Sequence, residues 1–408
     1  MSWRDIQLGD AFSIKHGFAF RSEYFTDAGE YVVLTPGNFY EPGGFRPRPG
    51  KDRYYSQRPP DDFVLGAGDL IIAMTEQGEG LLGSAALIPE EGYYLHNQRI
   101  GLIENLDSTM LDRGFLYRLF NSQTLRAPIR ATASGTKVRH TAPKRIYKIT
   151  VRVPTTEQQR RISEVLSEYD RLIENNRRRI ALLEESARLL YREWFVHLRF
   201  PGHEHVEFID GVPKDWKRCV FEEVCEVVGG GTPSTHKPEF WSNGDITWYT
   251  PTDITRNSCL ALLDSATKIS EAGLSGSSAK ILPSGTVLMT SRASVGFFGI
   301  TDRPSCTNQG FISIIPNDLQ SRLYLLHNLM SRVEEIRANA GGATYKEISK
   351  GKFKALPVLM PPRWLAQRFE AEVATLYEQV RNLHAMNQSL AKARDLLLPR
   401  LISGQITV

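Results

Sequence analysis

Side chains of seam type recur at alternating intervals of four and three residues along one stretch of this chain: Ile162, Leu166, Tyr169, Ile173, Asn176, Ile180, Leu183, Ala187, Leu190 and Trp194. The spacing holds for about five heptads. That is the narrow seam of a coiled-coil helix, expected from Glu157 to Phe195, and not the broader apolar stripe of a surface helix. The same spacing returns near the end of the chain as Phe369, Val373, Leu376, Val380, Leu383, Asn387, Leu390, Arg394, Leu397 and Leu401. Each of these positions lies 207 residues beyond its counterpart, as Phe369 lies beyond Ile162. The chain therefore reads as an internal duplication, each copy a large domain followed by one long helix.

The two polar breaks in the seams predict how the helices pair. An asparagine buried alone in a seam is costly, whereas two facing each other satisfy one another's amides. An antiparallel register that sets Ile162 against Leu401 also sets Asn176 against Asn387, Ile173 against Leu390 and Ile180 against Leu383. Parallel pairing at the 207-residue offset would instead face Asn176 with Leu383 and Asn387 with Ile180. The expectation is an antiparallel pair with the two asparagine side chains within about 8 Å of each other. A helix of roughly 36 residues is about 54 Å long. That is the scale of one to two turns of duplex DNA, which suits a spacer.

Outside the helices the pattern shortens to strand length. Tyr31–Leu34, Leu70–Met74 and Arg99–Ile103 are strand candidates, separated by turns such as Pro36-Gly37-Asn38, Pro42-Gly43-Gly44 and Gly66-Ala67-Gly68-Asp69. Phe115 to Leu125 has helical spacing, and Ile149–Val153 reads as a closing strand before Pro154. Thr156 is expected to cap the long helix, with Gln159 as its capping-box partner. The second copy repeats the plan: Gly285–Met289 answers Gly68–Ile72, Leu323–Val333 answers the helix at Phe115, and Leu356–Pro361 answers the closing strand. The fold class is α+β, with two strand-rich domains joined by two long helices related by a pseudo-two-fold repeat. The expected boundaries are a first domain over 1–154, a helix over 155–200, a linker over 201–216, a second domain over 217–360 and a helix over 361–408.

Composition adds little and excludes more. The net charge of +4 is compatible with a nucleic-acid partner without requiring one. No apolar run is long enough to span a membrane, and the first residues lack a secretory pattern. The four cysteines form no C-x-x-C pair, so they read as reduced thiols of a cytoplasmic protein and not as a zinc site. The Gly229–Thr235 run lacks the Gly-Lys-Ser/Thr ending of a phosphate loop and is broken by Pro233. His203 and His205 read as a solvated pair. No Gly-x-Ser-x-Gly elbow, Rossmann fingerprint or zinc-protease motif is present, nor an Asp/Asn-Pro-Pro-aromatic element of amino-methyltransferases.

What remains is a set of polar, basic and aromatic loops at corresponding places in the two copies. In the first, the candidates for DNA contact are Asn38, Tyr40, Arg46, Arg48, Lys51, Thr75, Gln77, Lys137, Arg139 and His140. In the second they are Thr232, Ser234, Lys237, Thr252, Asp253, Arg256, Ser291, Arg292, Thr344, Tyr345 and Lys346. Arginine and lysine suit phosphates and guanine edges, asparagine and glutamine suit adenine, and hydroxyls suit either. Two readers with unlike loops predict two unlike half-sites, hence an asymmetric bipartite duplex target.

The arrangement resembles the specificity subunit of type I restriction–modification systems across essentially the whole chain. The residues that carry the resemblance are Gly230–Thr235 with Pro238–Trp241 and Gly244–Trp248, Gly17–Phe20 with Tyr24-Phe25, Pro361-Pro362 before the second helix, and Arg394–Gly404 at its end. Pro154-Thr155-Thr156 and Trp364–Gln367 depart from the family's usual helix entries. The resemblance implies a non-catalytic role: recognition of bipartite DNA and docking of two modification subunits, which bind S-adenosylmethionine and methylate adenine N6, with a motor–nuclease subunit joining for cleavage. This chain itself would hold no cofactor. Two other readings predict different behaviour. A coiled-coil scaffold for proteins would not bind DNA, and an enzyme with a site between the domains would need acids or histidines facing each other across the gap.

Overall fold

The computed structural model describes residues 3–48, 50–77, 80–342 and 346–408. They form two compact units, Met1–Arg171 with Leu390–Val408, and Leu172–Ser389.

In the first unit, strand β1 (Arg4–Gln7) opens the domain and pairs antiparallel with β8 (Thr150–Val153), the last strand before the long helix. Between them lies an antiparallel sheet of β2 (Ser13–His16), β4 (Leu70–Ala73), β5 (Ala85–Leu87) and β7 (Ile100–Glu104), in the order β2-β7-β4-β5. A parallel contact joins β3 (Tyr31–Val33) to β6 (Tyr94–Leu95). The uninterrupted Leu70-Ile71-Ile72-Ala73 run is explained by burial on both faces of the sheet. Leu70 and Ile72 enter one apolar cluster with Phe115 and Leu116, whereas Ile71 and Ala73 enter another with Val32 and Phe39. Helix α1 (Arg113–Phe120) is capped by Asp112, whose carboxylate accepts from the Phe115 N–H at 2.9 Å. The single helix expected over 115–125 is interrupted. Asn121 and Ser122 end α1, and a separate helix follows from Gln123 to Ala131.

The second unit repeats this frame. Strand β9 (Lys217–Val220) pairs with β17 (Pro357–Met360), closing the domain as β1 and β8 do. The main sheet is built from β10 (Cys225–Gly229), β12 (Ala261–Leu262), β13 (Val287–Thr290), β14 (Phe298–Thr301) and β16 (Phe311–Pro316), in the order β10-β16-β13-β14-β12. Strand β11 (Ile246–Tyr249) runs parallel to β15 (Cys306–Thr307), as β3 does to β6. Helix α3 (Arg322–Ser331) holds the place of α1. The stretch 201–216, expected as a linker, is folded. It contains a short helical turn, His203–His205, and a hairpin of Phe208–Ile209 with Val212–Pro213. Phe200 just before it and Trp216 at its end are buried in the core of the second unit.

The long helices are α2 (Thr156–Tyr191) and α4 (Arg363–Ile402). The cap of α2 sits one residue earlier than expected: the Thr155 hydroxyl accepts from the Gln158 N–H at 3.4 Å. Gln159 is instead fully buried. Its amide oxygen accepts from the Asp112 N–H at 2.8 Å, and its amide nitrogen donates to the Met110 and Pro154 carbonyls at 3.1 and 2.9 Å, tying helix to domain. The last turn widens over Arg192–Val196 and buries Trp194 and Phe195 together.

Within the second unit the helices pair antiparallel. The Asn176 amide donates to the Asn387 amide oxygen at 2.9 Å, and Asn387 donates to the Ile173 carbonyl at 3.3 Å. Ile180 packs with Val380 and Leu383, and the ring of Trp194 lies 5.9 Å from that of Phe369. Ile173 is buried and Leu390 half-buried. Within the first unit, Ile162 and Leu166 share a cluster with Leu401 and Ile402. Both sets of contacts follow the register that sets asparagine against asparagine.

Candidate nucleic-acid interface

In each copy the loops at one edge of the β3/β6 or β11/β15 pair are built on the same three devices. The first is a capping box. Thr35-Pro36-Gly37-Asn38 folds so that the Asn38 amide oxygen accepts from the Thr35 N–H (2.9 Å) and hydroxyl (3.0 Å). In Thr250-Pro251-Thr252-Asp253 the Asp253 carboxylate accepts from the Thr250 N–H and hydroxyl, both at 2.7 Å. The second is an Asn-Gln turn. The Asn97 side chain accepts from the Arg99 N–H at 3.1 Å, and the Asn308 side chain from the Gly310 N–H at 2.9 Å. Gln98 and Gln309 stand between, exposed. The third is a glycine pressed against that turn. A Cβ on Gly17 would lie 2.1 Å from the Asn97 carbonyl oxygen, and one on Gly230 would lie 2.1 Å from that of Asn308. Only glycine fits either contact. The following residues close the clamp alike, the Phe18 N–H donating to the His96 carbonyl at 2.8 Å and the Gly231 N–H to that of Thr307 at 2.9 Å.

On this shared frame the two copies carry different chemistry. The first has a cleft of about 660 Å³ lined by Arg48, Arg53, Thr75, Glu76, Gln77 and Asn97-Gln98-Arg99, with Phe20 and Phe25 on its wall. Three guanidiniums face one carboxylate, and that carboxylate is occupied. Glu76 is buried, accepts from the Gly80 and Leu82 N–H groups at 3.1 and 2.8 Å, and pairs with Arg139 at 3.3 Å. Arg53 lies 5.8 Å from the Phe25 ring centre, and Arg48 reaches the Thr35 hydroxyl at 3.5 Å. The cleft thus suits an anionic backbone with hydrogen-bonding edges beside it. His96, directly before the Asn-Gln turn, is fully buried, and burial pushes its pKa down to about 4, so the ring is neutral at pH 7. Its Nε2–H donates to the Ile100 carbonyl at 2.9 Å, which stiffens the turn from behind. The second copy has an open depression of about 620 Å³ lined by Thr232, Thr235, Pro238, Trp241, Ser242, Trp248 and Thr267, without a charged side chain. Its two indoles meet edge to face at 5.1 Å.

The candidates read from sequence divide accordingly. Arg48, Thr75, Gln77 and Thr232 line the two concavities. Tyr40 and Arg46 are exposed and stacked, 5.9 Å apart. Lys51, Lys137, His140, Ser234, Lys237, Thr252, Arg256, Arg292 and Lys346 are exposed. Thr344 and Tyr345 lie outside the described residues. Three candidates are corrected. Asn38 is buried and spent on its capping box, Asp253 is spent on the equivalent box and on the Ala266 N–H at 3.0 Å, and Ser291 is buried at the end of β13. Arg139 is drawn inward, donating to the Arg130 carbonyl at 2.7 Å besides its pair with Glu76. Sequence reading missed Asn97-Gln98-Arg99 and Asn308-Gln309. The signal was present: the Asn-Gln dipeptide recurs behind a strand in both copies, each preceded far upstream by its glycine. Among the described residues no group of three His, Cys, Asp or Glu is placed to hold a metal ion, and no helix is long and apolar enough to cross a membrane.

Comparison with known proteins agrees with this duplicated frame. The family model for the type I restriction modification DNA specificity domain matches twice, over residues 1–185 and 213–383. The type I restriction enzyme MjaIX specificity subunit of Methanocaldococcus jannaschii is 33% identical over 186 residues, 45% of this chain and 43% of that relative. The HindI specificity subunit of Haemophilus influenzae is 24% identical over 326 residues, 64% of this chain and 70% of that one. Among solved structures, the type I restriction–modification S subunit from M. genitalium superposes with a TM-score of 0.59 at 17% identity, covering 98% of this chain and 96% of that one, which speaks for the fold. With two copies of the specificity domain, each closed by a strand pair and followed by a long helix, this chain belongs to the type I restriction–modification DNA specificity family.

Proposed function

We propose that this chain is the DNA specificity subunit of a type I restriction–modification complex and reads a bipartite, asymmetric duplex target. The observation that carries this is divergence on a shared frame. The same capping box, Asn-Gln turn and glycine clamp present three arginines in one copy and threonines with indoles in the other. Two surfaces of one architecture but unlike chemistry are what two unlike half-sites need. The chain would act without a catalytic group of its own and in the cytoplasm. Two modification subunits, holding S-adenosylmethionine, would methylate adenine N6 in each half-site, and a motor–nuclease subunit would join for cleavage. Exposed apolar side chains outside the seams, Leu182 and Leu189 on α2 and Met386 and Leu396 on α4, support docking of partner subunits along the helices.

Binding to random-sequence duplex tests the reading against that of a protein scaffold. The logarithm of the association constant should fall linearly with the logarithm of salt concentration, with a slope of about −0.9 per phosphate contact. Arg48→Ala, Arg53→Ala or Arg99→Ala should each reduce the slope by about 1 if it neutralises a phosphate. Absence of salt-dependent binding to any duplex would favour the scaffold.

A further inference from the structure

Why should two recognition surfaces that share so little of their chemistry both expose a glutamine at one place? Gln98 and Gln309 occupy the same position of the same turn. The residue after each differs, Arg99 in one copy and Gly310 in the other, and so do the neighbouring strand ends, Thr75 and Arg292. The turn itself is held by the asparagine and the glycine, and the Gln98 side chain has no part in that hold. Among the described residues no hydrogen bond engages the Gln98 amide. The Gln309 amide oxygen accepts from the Thr232 hydroxyl, which orients the amide and leaves its NH₂ free to donate. Both side chains thus stand on a backbone pinned from behind: the Gln98 N–H donates to the Phe18 carbonyl at 3.1 Å, and the Asn308 N–H to that of Tyr249 at 3.0 Å. An exposed amide on a fixed backbone, Gln98 on the wall of the first cleft and Gln309 bonded to Thr232 of the second depression, is suited to read a base edge. Its donor–acceptor pair matches N7 and N6 of adenine in the major groove and no other single base as well.

We propose that Gln98 and Gln309 are equivalent specificity residues, each reading an A·T pair at the same place in its own half-site. The two otherwise unlike half-sites then share one A·T pair at equivalent positions. This rests on the DNA-specificity reading above and adds to it which side chains read a base and which base they read.

The test is methylation of a target library, with every position of both half-sites varied in turn, by the complex of this chain with its cognate modification subunits. Q98A should relax discrimination at one A·T position of one half-site by about ten- to a hundred-fold and leave the other positions unchanged. Q309A should do the same in the other half-site. Q98E should move the preference at that position toward a C·G pair, because a carboxylate accepts from cytosine N4. The proposal is overturned if neither alanine variant alters any position, if the affected position is not A·T, or if all sequences weaken equally, as loss of a phosphate contact would cause. If the wild-type complex shows no methylation dependent on this chain, the specificity reading falls first and takes this proposal with it. That result is read from the wild type alone.

Discussion

Phe369→Ala is expected to destabilise the second unit by about 3–5 kcal/mol, the range for truncating a fully buried aromatic side chain. Phe369 is wholly buried near the start of α4, and four rings surround it. Phe195 lies at 5.0 Å, His327 at 5.8 Å, Trp194 at 5.9 Å and Tyr191 at 6.0 Å between ring centres. These neighbours come from the end of α2 and from α3, so the cavity would open where both long helices meet the second domain. Tyr191 is itself tied by the Asn328 amide at 3.1 Å, and the Tyr377 hydroxyl lies 3.4 Å from His327 Nε2, so the surrounding rings are poorly free to collapse. Denaturant unfolding followed by the emission of a variant that keeps Trp194 as its one tryptophan reads the change at this place. A loss under about 1 kcal/mol would mean that the joint is not packed as described.

Asp170→Ala should have the second-largest effect, about 2–4 kcal/mol on the first unit. Its carboxylate accepts two guanidiniums at once, Arg118 of α1 at 2.5 Å and Arg394 of α4 at 2.6 Å. Removing it leaves two like charges close together, one of them on Arg118 with a side chain only 10% exposed. Breaking a fully buried pair costs about 3–5 kcal/mol, and the partial exposure of Asp170 discounts that figure. Replacing all three residues with apolar side chains of similar volume should recover most of the loss. In the second copy His327 of α3 and Tyr377 of α4 stand where Arg118 and Asp170 stand in the first, and the ion pair between those helices lies elsewhere, Arg322 with Glu370 at 2.9 Å. Urea unfolding of the single and triple variants checks this. Equal loss in both would show that the ions, and not their mutual balance, hold the joint.

The helices were the most legible part of the sequence because their chemistry is local and repetitive. A 4–3 spacing specifies a seam, and two polar interruptions specify its register, since only one antiparallel alignment satisfies both amides. The reading surfaces were less legible, for reasons that particular residues show. Asn38 and Asp253 resemble base readers in a loop, yet Thr-Pro-x-Asn and Thr-Pro-x-Asp are capping boxes, a pattern open to recognition from spacing alone. Arg139 was indistinguishable from an exposed basic residue until the fold brought buried Glu76 beside it. Gly17 and Gly230 owe their identity to a carbonyl about eighty residues away in the chain, a constraint that no local window contains. Gln98 directly precedes the strand run Arg99–Ile103, and no local spacing shows the turn that exposes it. Ser291 stands beside loop-type residues in the sequence, but it follows directly on β13 and is enclosed there.

The central claim is that each domain of this chain chooses one half of a DNA target. Mapping modified adenines across the genome of a host that expresses this chain with its cognate modification subunit tests that most directly, alongside a variant in which residues 217–360 are replaced by the corresponding domain of a relative. The account predicts a bipartite methylated sequence that requires this chain, of which one half changes and the other persists after the exchange. Methylation that is independent of this chain, or an exchange that alters both halves or neither, would contradict it.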